Sequence, residues 1–417
     1  MFVRIGRSAG RLVAGHGRRP SPVDDDTGDD DSSGDDDDAV DDDADDDVDD
    51  DADDDSDYVT YLPTNCGARA TPDVPAAVPT YERGTAVGVD ADDSTAFVFF
   101  ASISRKLTLY EIDGGNVASS TIATTTGRPA AAYDSEERMH VAYADYETHE
   151  LVHLARIDGV WERSVADCGD ELVAYDIAVD AWDRVHLVYG AVSVHKTRHA
   201  VRFGNGEWRA GIVRPGYFDR VSIDVDDGGV VHAAGAEWGS IFAARRAHGK
   251  WTIWPIRLSY NLIFFSALSY TPETVVSNGI DAHAAFIEEA SYFFPTPKPF
   301  SDESTDFLYI DNPLRPDEAS YPLGRDVLQT GLSLATDKDG GVHAAMASVD
   351  RLWYAERDGE TGIWDPATAD IGGGSYSDIF VAADGRVHIS HTDKTGTSVY
   401  YSTYLDGTWE TRLLNVP

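Results

Sequence analysis

The sequence has few cysteines, few basic residues and no long apolar run. Only two cysteines occur in 417 residues, and they lack the clustered Cys and His spacing of a zinc site. Lys and Arg number 33 against 74 Asp and Glu, so the formal net charge is -41. This charge disfavours nucleic acid and anionic membranes as partners. The longest apolar stretches, such as LIFFSAL at 262–268, fall short of the roughly 18 residues that a membrane-spanning helix needs.

The acidic residues are concentrated near the start of the chain. Residues 24–57 contain 23 Asp and no aromatic residue, so we predict a disordered spacer that cannot offset its ordering entropy. With five Arg, residues 1–57 carry -18 and leave -23 for residues 58–417. Structural calcium bound by the Asp triplets is the alternative, but the glycine-punctuated loop of calcium repeats is missing. We therefore expect no cofactor and no metal.

A segment of Asp, a turn and His recurs along the rest of the chain. The six His are His140, His186, His232, His283, His343 and His388. The residues six places before them are, in the same order, Asp134, Asp180, Asp226, Ser277, Asp337 and Ala382. A weaker copy with Asp90 precedes them, and the seven positions are 44 to 60 residues apart. Such a period indicates a repeat architecture.

A Gly-x-Trp follows most of these His by about twenty residues, at Trp161, Trp208, Trp251, Trp364 and Trp409. Four short apolar segments per repeat predict a four-stranded antiparallel blade. The predicted fold is all-β, a seven-bladed β-propeller, or a six-bladed one if the first repeat, which lacks the His, is not a full blade. We expect a basic segment at 1–23, a spacer at 24–57, a lead-in at 58–80 and the propeller at 81–417. The predicted repeats are 85–125, 126–167, 168–214, 215–257, 258–325, 326–371 and 372–417.

The repeated His, Asp and Trp suggest structural roles. An Asp can bond the backbone of its own hairpin turn, and a Trp that opens the outermost strand can cover the seam to the next blade. Catalysis does not need six copies of a His around a ring, so we interpret these His as packed and hydrogen-bonded. A ring of metal ligands is the alternative.

Two cysteines lie in loops beside the first blades. Cys66 precedes the first blade, and Cys168 lies between the second and the third. If they pair, the closed loop would add about 4 to 5 kcal/mol to the stability in the chain-entropy model.

The fifth repeat carries two insertions, 258–271 and 288–305, on one face of the propeller. Aromatic rings with carboxylates nearby suit a carbohydrate, whose C–H faces stack on rings; mutual packing of the rings is the alternative. The candidate ligand-binding residues are Tyr260, Phe264, Phe265, Glu288, Glu289, Tyr292, Phe293, Phe294 and Phe300. The adjacent Glu288 and Glu289 would point to opposite faces of a strand, so they do not form a catalytic pair there.

The Asp-turn-His strand and the Gly-x-Trp resemble the secreted bacterial propellers of the sialidase-like, BNR-repeat group. YLDGTW at 404–409 is similar to a degenerate Asp-box. The opening VPTYERGTAVGVD at 78–90 lacks the Arg-Ile-Pro motif of sialidases. We therefore expect a non-catalytic propeller that binds a carbohydrate or a protein through the fifth-blade loops. The alternative is a glycan-active enzyme, a sialidase-like hydrolase or a polysaccharide lyase, for which His195 and His199 are further candidates.

A basic start, an acidic spacer and a propeller together resemble bacterial surface lipoproteins. LVAGH at 12–16 is similar to a lipobox with His16 in place of the lipidated Cys, and Arg4, Arg7 and Arg11 interrupt the apolar core of a signal peptide. We expect residues 1–23 to be the remnant of an export signal. The resemblance implies a monomer outside the cell or at the surface of a bacterium, with an N-terminal anchor as its only membrane contact.

Overall fold

The structure, a computed structural model, describes residues 84–415. The residues it leaves out of this range are 91–93, 103, 137, 169–171, 193, 219, 238–239, 258–267, 278–280, 291–304, 311–326, 349–351, 359–363, 370–375 and 394. All described residues lie in one compact unit, Asp51–Pro417. Within them, no helix is long and apolar enough to span a membrane.

The described residues form seven antiparallel sheets, each from one stretch of chain. The first sheet contains β1 (Gly84–Val89), β2 (Thr95–Ala101), β3 (Lys106–Asp113) and β4 (Asn116–Thr124). The second contains β5 (Ala130–Tyr133), β6 (Met139–Ala144), β7 (Glu150–Ile157) and β8 (Val160–Cys168). The third contains β9 (Leu172–Val179), β10 (Val185–Ala191), β11 (Lys196–Arg202) and β12 (Trp208–Pro215).

The remaining sheets follow the same order along the chain. The fourth contains β13 (Arg220–Val225), β14 (Val231–Glu237), β15 (Ser240–Ala247) and β16 (Lys250–Arg257). The fifth contains β17 (Leu268–Ser277), β18 (Asp281–Ala290) and β19 (Thr305–Ile310). The sixth contains β20 (Val327–Thr336), β21 (Val342–Ser348), β22 (Leu352–Arg357) and β23 (Trp364–Ala369). The seventh contains β24 (Ser377–Val381), β25 (Val387–Thr392), β26 (Val399–Leu405) and β27 (Thr408–Leu413).

The sheets are arranged in a ring. The first strand of each sheet contacts the first strand of the next sheet, and β24 of the last sheet contacts β1. This confirms the predicted all-β propeller with four-stranded antiparallel blades. The structure shows six four-stranded blades, not the seven that we predicted, because the fifth sheet has three strands among the described residues. The fifth repeat lacks the Gly-x-Trp, as does the first repeat, where Val117 of β4 takes the place of the Trp.

The position of a strand in its blade determines how deeply it is buried. The second strands β2, β6, β10, β14 and β25 are buried along almost their whole length. They depart from the predicted alternation because neighbouring blades cover both of their faces. The outermost strands β4 and β27 are largely exposed and rich in Ser, Thr and charged residues, as edge strands commonly are.

The turn between the first two strands of a blade has the predicted chemistry. Asp134 Oδ1 accepts hydrogen bonds from the backbone N–H groups of Glu136 at 3.0 Å and Arg138 at 2.8 Å. Asp226 accepts one from Val230 at 2.8 Å, in a turn where Gly229 has a φ of 74°. A short carboxylate and a residue with positive φ therefore close these turns.

Candidate functional site

Four of the repeated His form a pair with the Asp six residues before them, and in the second, third and fourth blades both members are buried. The distances from Nε2 to Oδ2 are 2.9 Å for His140 and Asp134, 3.0 Å for His186 and Asp180, 3.2 Å for His232 and Asp226, and 3.1 Å for His343 and Asp337. At His388 the repeat has Ala382 instead of Asp, and His283 lies on β18 opposite Val275. The pairs connect the turn of a blade to its second strand.

In three of these four His, the other ring nitrogen reaches the third strand of the same blade. His140 Nδ1 lies 2.9 Å from His153 Nε2, and His186 Nδ1 lies 3.1 Å from His199 Nε2. Burial lowers the pKa of His153 and His199 well below the usual 6.5. His199 therefore occupies the same place in the third blade as His153 does in the second, and it follows the repeat. His195 lies in an exposed turn against the ring of Tyr217.

The repeated Trp residues cover a ring of the preceding blade rather than of the next one. The pairs are Trp161 and Phe99 at 5.4 Å, Trp208 and His153 at 5.5 Å, Trp251 and His199 at 5.4 Å, and Trp409 and Tyr354 at 5.5 Å between ring centroids. All four pairs meet edge to face, the geometry that aromatic quadrupoles favour. Trp364 packs against the core of its own blade beside Leu332.

Most of the predicted ligand-binding residues lie outside the described residues. These are Tyr260, Phe264, Phe265, Tyr292, Phe293, Phe294 and Phe300. Glu288 and Glu289 occupy successive positions on β18, opposite Tyr270 and Ser269 of β17. The fifth-blade site therefore stays a prediction.

Cys168 ends β8, and its sulfur is disulfide-bonded. The sequence contains one other cysteine, Cys66, which lies outside the described residues. The pairing of Cys66 with Cys168 stays a prediction.

A cleft of about 550 Å³ opens at the seam between the first and second blades. Its lining comes from β4 of the first blade and from β6 to β8 of the second, and consists of Thr121, Ile122, Ala123, Thr124, Tyr143, Asp145, Glu147, Leu154, Trp161 and Arg163. Arg163 is held by Glu150, whose Oε2 lies 2.5 Å from Arg163 Nη2. The cleft thus combines an aromatic wall, an exposed guanidinium and several oxygen acceptors.

The next two seams have charged contacts at the corresponding place. At the second seam, Asp167 of β8 accepts hydrogen bonds from Tyr189 Oη at 2.7 Å and Arg198 Nη1 at 2.8 Å. At the third seam, Arg214 Nη2 lies 2.7 Å from Glu237 Oε2. Asp167 pairs with Leu151 beside a β-bulge, and Ala123 pairs with Leu107 beside a bulge at the same place in the first blade. Ala123 of the first blade is therefore equivalent to Asp167 of the second blade, whose carboxylate bonds across the seam to the third blade.

Two carboxyl groups lie on the innermost strands that surround the central channel. Asp176 Oδ2 accepts a hydrogen bond from the N–H of Ile223 at 2.9 Å, and Asp378 Oδ2 accepts one from Val87 at 2.8 Å. Each bond joins the first strands of two neighbouring blades. Burial raises the pKa of Asp378 to about 7, although the Val87 N–H and the charge of Arg128 lower it. Burial also raises the pKa of Asp176.

The sequence interpretation missed both the cleft and the channel carboxyls. The sixth residue after the Trp position is Ala123, Asp167, Arg214 and Arg257 in the first four repeats, so the small residue in the first repeat was a visible signal. The first repeat has Val117 in the Trp position, and the residues after this position were not compared between repeats.

No protein-family model matches the sequence, and no curated protein matches it by sequence. Among solved structures, the hydrazine synthase of Kuenenia stuttgartiensis is similar, with 12% identity over 82% of this chain and 100% of that one and a TM-score of 0.53. The fucose-specific lectin of Aleuria aurantia shares 12% identity over 81% of this chain and 99% of that one, with a TM-score of 0.45. An ulvan lyase, a polysaccharide lyase, shares 11% identity over 68% and 81%, with a TM-score of 0.48.

At these identities the similarity concerns the fold alone. It agrees with the β-propeller part of the resemblance seen in the sequence, while the sialidase-like BNR type and the lipoprotein-like spacer stay predictions. The described chain is a β-propeller of mainly four-stranded blades.

Proposed function

We propose that this protein is a non-catalytic β-propeller that binds a carbohydrate. The observation that carries the proposal is the cleft between the first and second blades, where Trp161 and Tyr143 meet Arg163. A sugar ring can place its C–H face on an aromatic wall while its hydroxyl groups bond charged and hydroxyl side chains. Thr121 and Thr124 line the opposite wall and supply hydroxyl groups from the first blade.

The charge of the cleft selects among sugars. Asp145, Glu147 and Glu150 lie at or beside the cleft, and Arg163 is the cation that lines it among the described residues. This excess of carboxylates, in a chain with a net charge of -41, repels sialic acids, uronic acids and sulfated sugars. The proposed ligand is therefore a neutral or basic sugar.

The fifth-blade loops remain part of the proposal as a second contact for the same ligand or for a protein ligand. We also propose that the protein acts as a monomer outside the cell or at the surface of a bacterium. The Asp-rich segment 24–57 supports this location because a self-repelling spacer can hold a domain away from an anchor.

The test is a screen of the full chain against an array of neutral, basic and acidic glycans, followed by affinity measurements on each bound glycan. The variant Arg163→Ala removes the guanidinium that faces the cleft, and Arg209→Ala removes the same charge from β12 of the next blade as a control. A charge-assisted hydrogen bond contributes about 1.5 to 3 kcal/mol, so we expect about a 10- to 100-fold loss of affinity in the first variant alone. Equal affinities in both variants would place the site elsewhere, with Phe293→Ala and Phe294→Ala as the next variants.

A glycan-active enzyme is the second candidate, favoured by the pair of channel carboxyls. A carboxyl whose pKa is about 7, as for Asp378, can hold or release a proton at neutral pH. The same glycan samples should therefore be followed for cleaved products by mass. We expect none; products that disappear in Asp378→Asn would replace the binding function with catalysis in the channel.

A further inference from the structure

The sixth blade differs from the other blades at its Asp–His pair. Asp337 lies in the turn between β20 and β21, His343 lies on β21, and Glu356 lies near the end of β22. One ligand atom from each of the three side chains lies within 4.8 Å of the others. Among the described residues, these three form the cluster of His, Cys, Asp or Glu side chains whose ligand atoms lie close enough together to hold a metal ion.

Glu356 is specific to this blade. It stands opposite His343 in the register between the second and third strands. The residues opposite the corresponding His in the other described blades are Ala155, Val201, Arg245 and Thr403. At this position, the second, third, fourth and seventh blades therefore have an apolar, cationic or hydroxyl side chain, whereas the sixth blade has a carboxylate.

The carboxylate of Asp337 is also more accessible than its counterparts. Asp134 and Asp180 are fully buried, and Oδ2 of each also accepts a bond from the Nε of Arg138 or Arg184 at 2.6 Å. The corresponding residue in the sixth blade is Gly341, which has no side chain to cover this oxygen. The side chain of Asp337 is 20% exposed. In the second and third blades an arginine covers Oδ2 of the Asp. In the sixth blade no arginine at this position covers Oδ2 of Asp337, and the side chain is partly exposed to solvent.

The distance between the two inner donor atoms suits a metal ion. Asp337 Oδ2 and His343 Nε2 are 3.1 Å apart. Two ligands at about 2.0 to 2.2 Å from one zinc ion, with angles between right-angled and tetrahedral, are roughly 3.0 to 3.5 Å apart. An ion could therefore replace the proton that these atoms share without a shift of the backbone, and the exposed side chain of Glu356 would turn toward it.

The surrounding bonds hold the two inner groups in place. Asp337 Oδ1 accepts bonds from the N–H groups of Asp339 at 2.8 Å and Gly341 at 2.7 Å, which leaves Oδ2 for the ion. His343 Nδ1 lies 2.6 Å from Tyr354 Oη. A metal-bound imidazole donates its other N–H to such an oxygen, which fixes the ring orientation.

We propose that Asp337, His343 and Glu356 bind one divalent transition-metal ion, with Zn²⁺ as the expected ion. One imidazole and two carboxylates form a mixed nitrogen and oxygen donor set that Zn²⁺ accepts, and water completes the coordination. The ion would join the turn after β20 to the end of β22. This site is separate from the carbohydrate cleft, so its test does not depend on the proposed function.

The test is a titration of the full chain with Zn²⁺ by calorimetry, repeated on Glu356→Thr. Threonine is the residue at the same place in the seventh blade, Thr403, and Glu356 is exposed, so the fold should tolerate the change. The control is Glu410→Thr on the exposed face of β27, which makes the same chemical change on another blade. Weak binding by the Asp-rich segment is common to all three proteins and cancels in the comparison.

We expect one site of higher affinity in the native and control chains, and at least a tenfold weaker affinity at that site in Glu356→Thr. Zinc should also raise the melting temperature of the native and control chains more than that of the variant. The visible absorption of bound Co²⁺ should show the same difference. Identical titrations and melting shifts in all three proteins, or no site above the diffuse background, would overturn the proposal.

Discussion

The first and second seams of the propeller are built from equivalent strands, yet the first has a cleft where the second has a charged contact. At the second seam, the Asp167 carboxylate of β8 crosses to Tyr189 and Arg198 of the third blade. At the first seam, the equivalent position is Ala123, which lines the cleft below Tyr143. The first seam therefore lacks both members of this ion pair, since Ala123 replaces Asp167 and Val152 of β7 replaces Arg198.

The comparison shows that residues which recur from repeat to repeat build the framework of the propeller. The candidate sites lie where one repeat has a different residue. The second and third seams use a charged residue at this position for an inter-blade ion pair, Asp167 with Arg198 and Arg214 with Glu237. The first seam has an ion pair elsewhere, between Arg156 and Glu111, but no charged residue at this position, and Arg163 beside it is exposed. The Glu356 exception in the sixth blade follows the same principle.

The largest expected effect comes from removing the carboxylate at the second seam. In Asp167→Ala, the buried Tyr189 hydroxyl and the part-buried Arg198 guanidinium would lose the acceptor that they share. Removing one partner of a buried ion pair costs about 3 to 5 kcal/mol. Urea unfolding at pH 7 should show this loss of free energy. A loss below about 1 kcal/mol would mean that Asp167 does not hold the seam.

A smaller loss of stability should appear on acidification, and it should be larger at the second seam than at the first. Trp208 covers His153 at the second seam, whereas Trp161 covers Phe99, which does not titrate, at the first. Burial lowers the pKa of His153 well below 6.5. Below about pH 6.5, His153 is therefore protonated in the unfolded chain but stays neutral in the folded chain. The free energy of unfolding therefore falls as the pH falls through this range.

Hydrogen–deuterium exchange at pH 7 and pH 5, corrected for the intrinsic rate, would measure this separation. The strands β7, β8 and β12 should lose protection at pH 5, while β2 to β4 should lose less. Equal changes in both sets of strands would show that the buried His residues do not determine the acid response.

The sequence predicted the ring and its framework because these repeat. The spacing from Asp134 to His140 recurs in several blades, and a pattern repeated around a ring identifies a structural role even where one copy does not. The blade count was harder to predict, since the first repeat lacks the His and the fifth repeat lacks the Trp.

The candidate sites were not predicted because each depends on a single departure from the repeat. The cleft follows from Ala123, in the one repeat whose Trp position holds Val117, and the metal site follows from Glu356. Local composition pointed instead to the aromatic loops of the fifth blade. Asp176 and Asp378 could not be recognised as related from the sequence, because it does not show that they lie around one channel.

The most direct test of the account is the affinity of the full chain for its best glycan from the screen, measured for the native protein and for Ala123→Asp. The new carboxylate would stand at the position of Asp167 and fill the cleft beside Tyr143 and Arg163. We predict that binding falls by at least tenfold while the melting temperature is unchanged or higher. A variant that binds the glycan as tightly as the native protein would contradict the claim that the open first seam is the binding site.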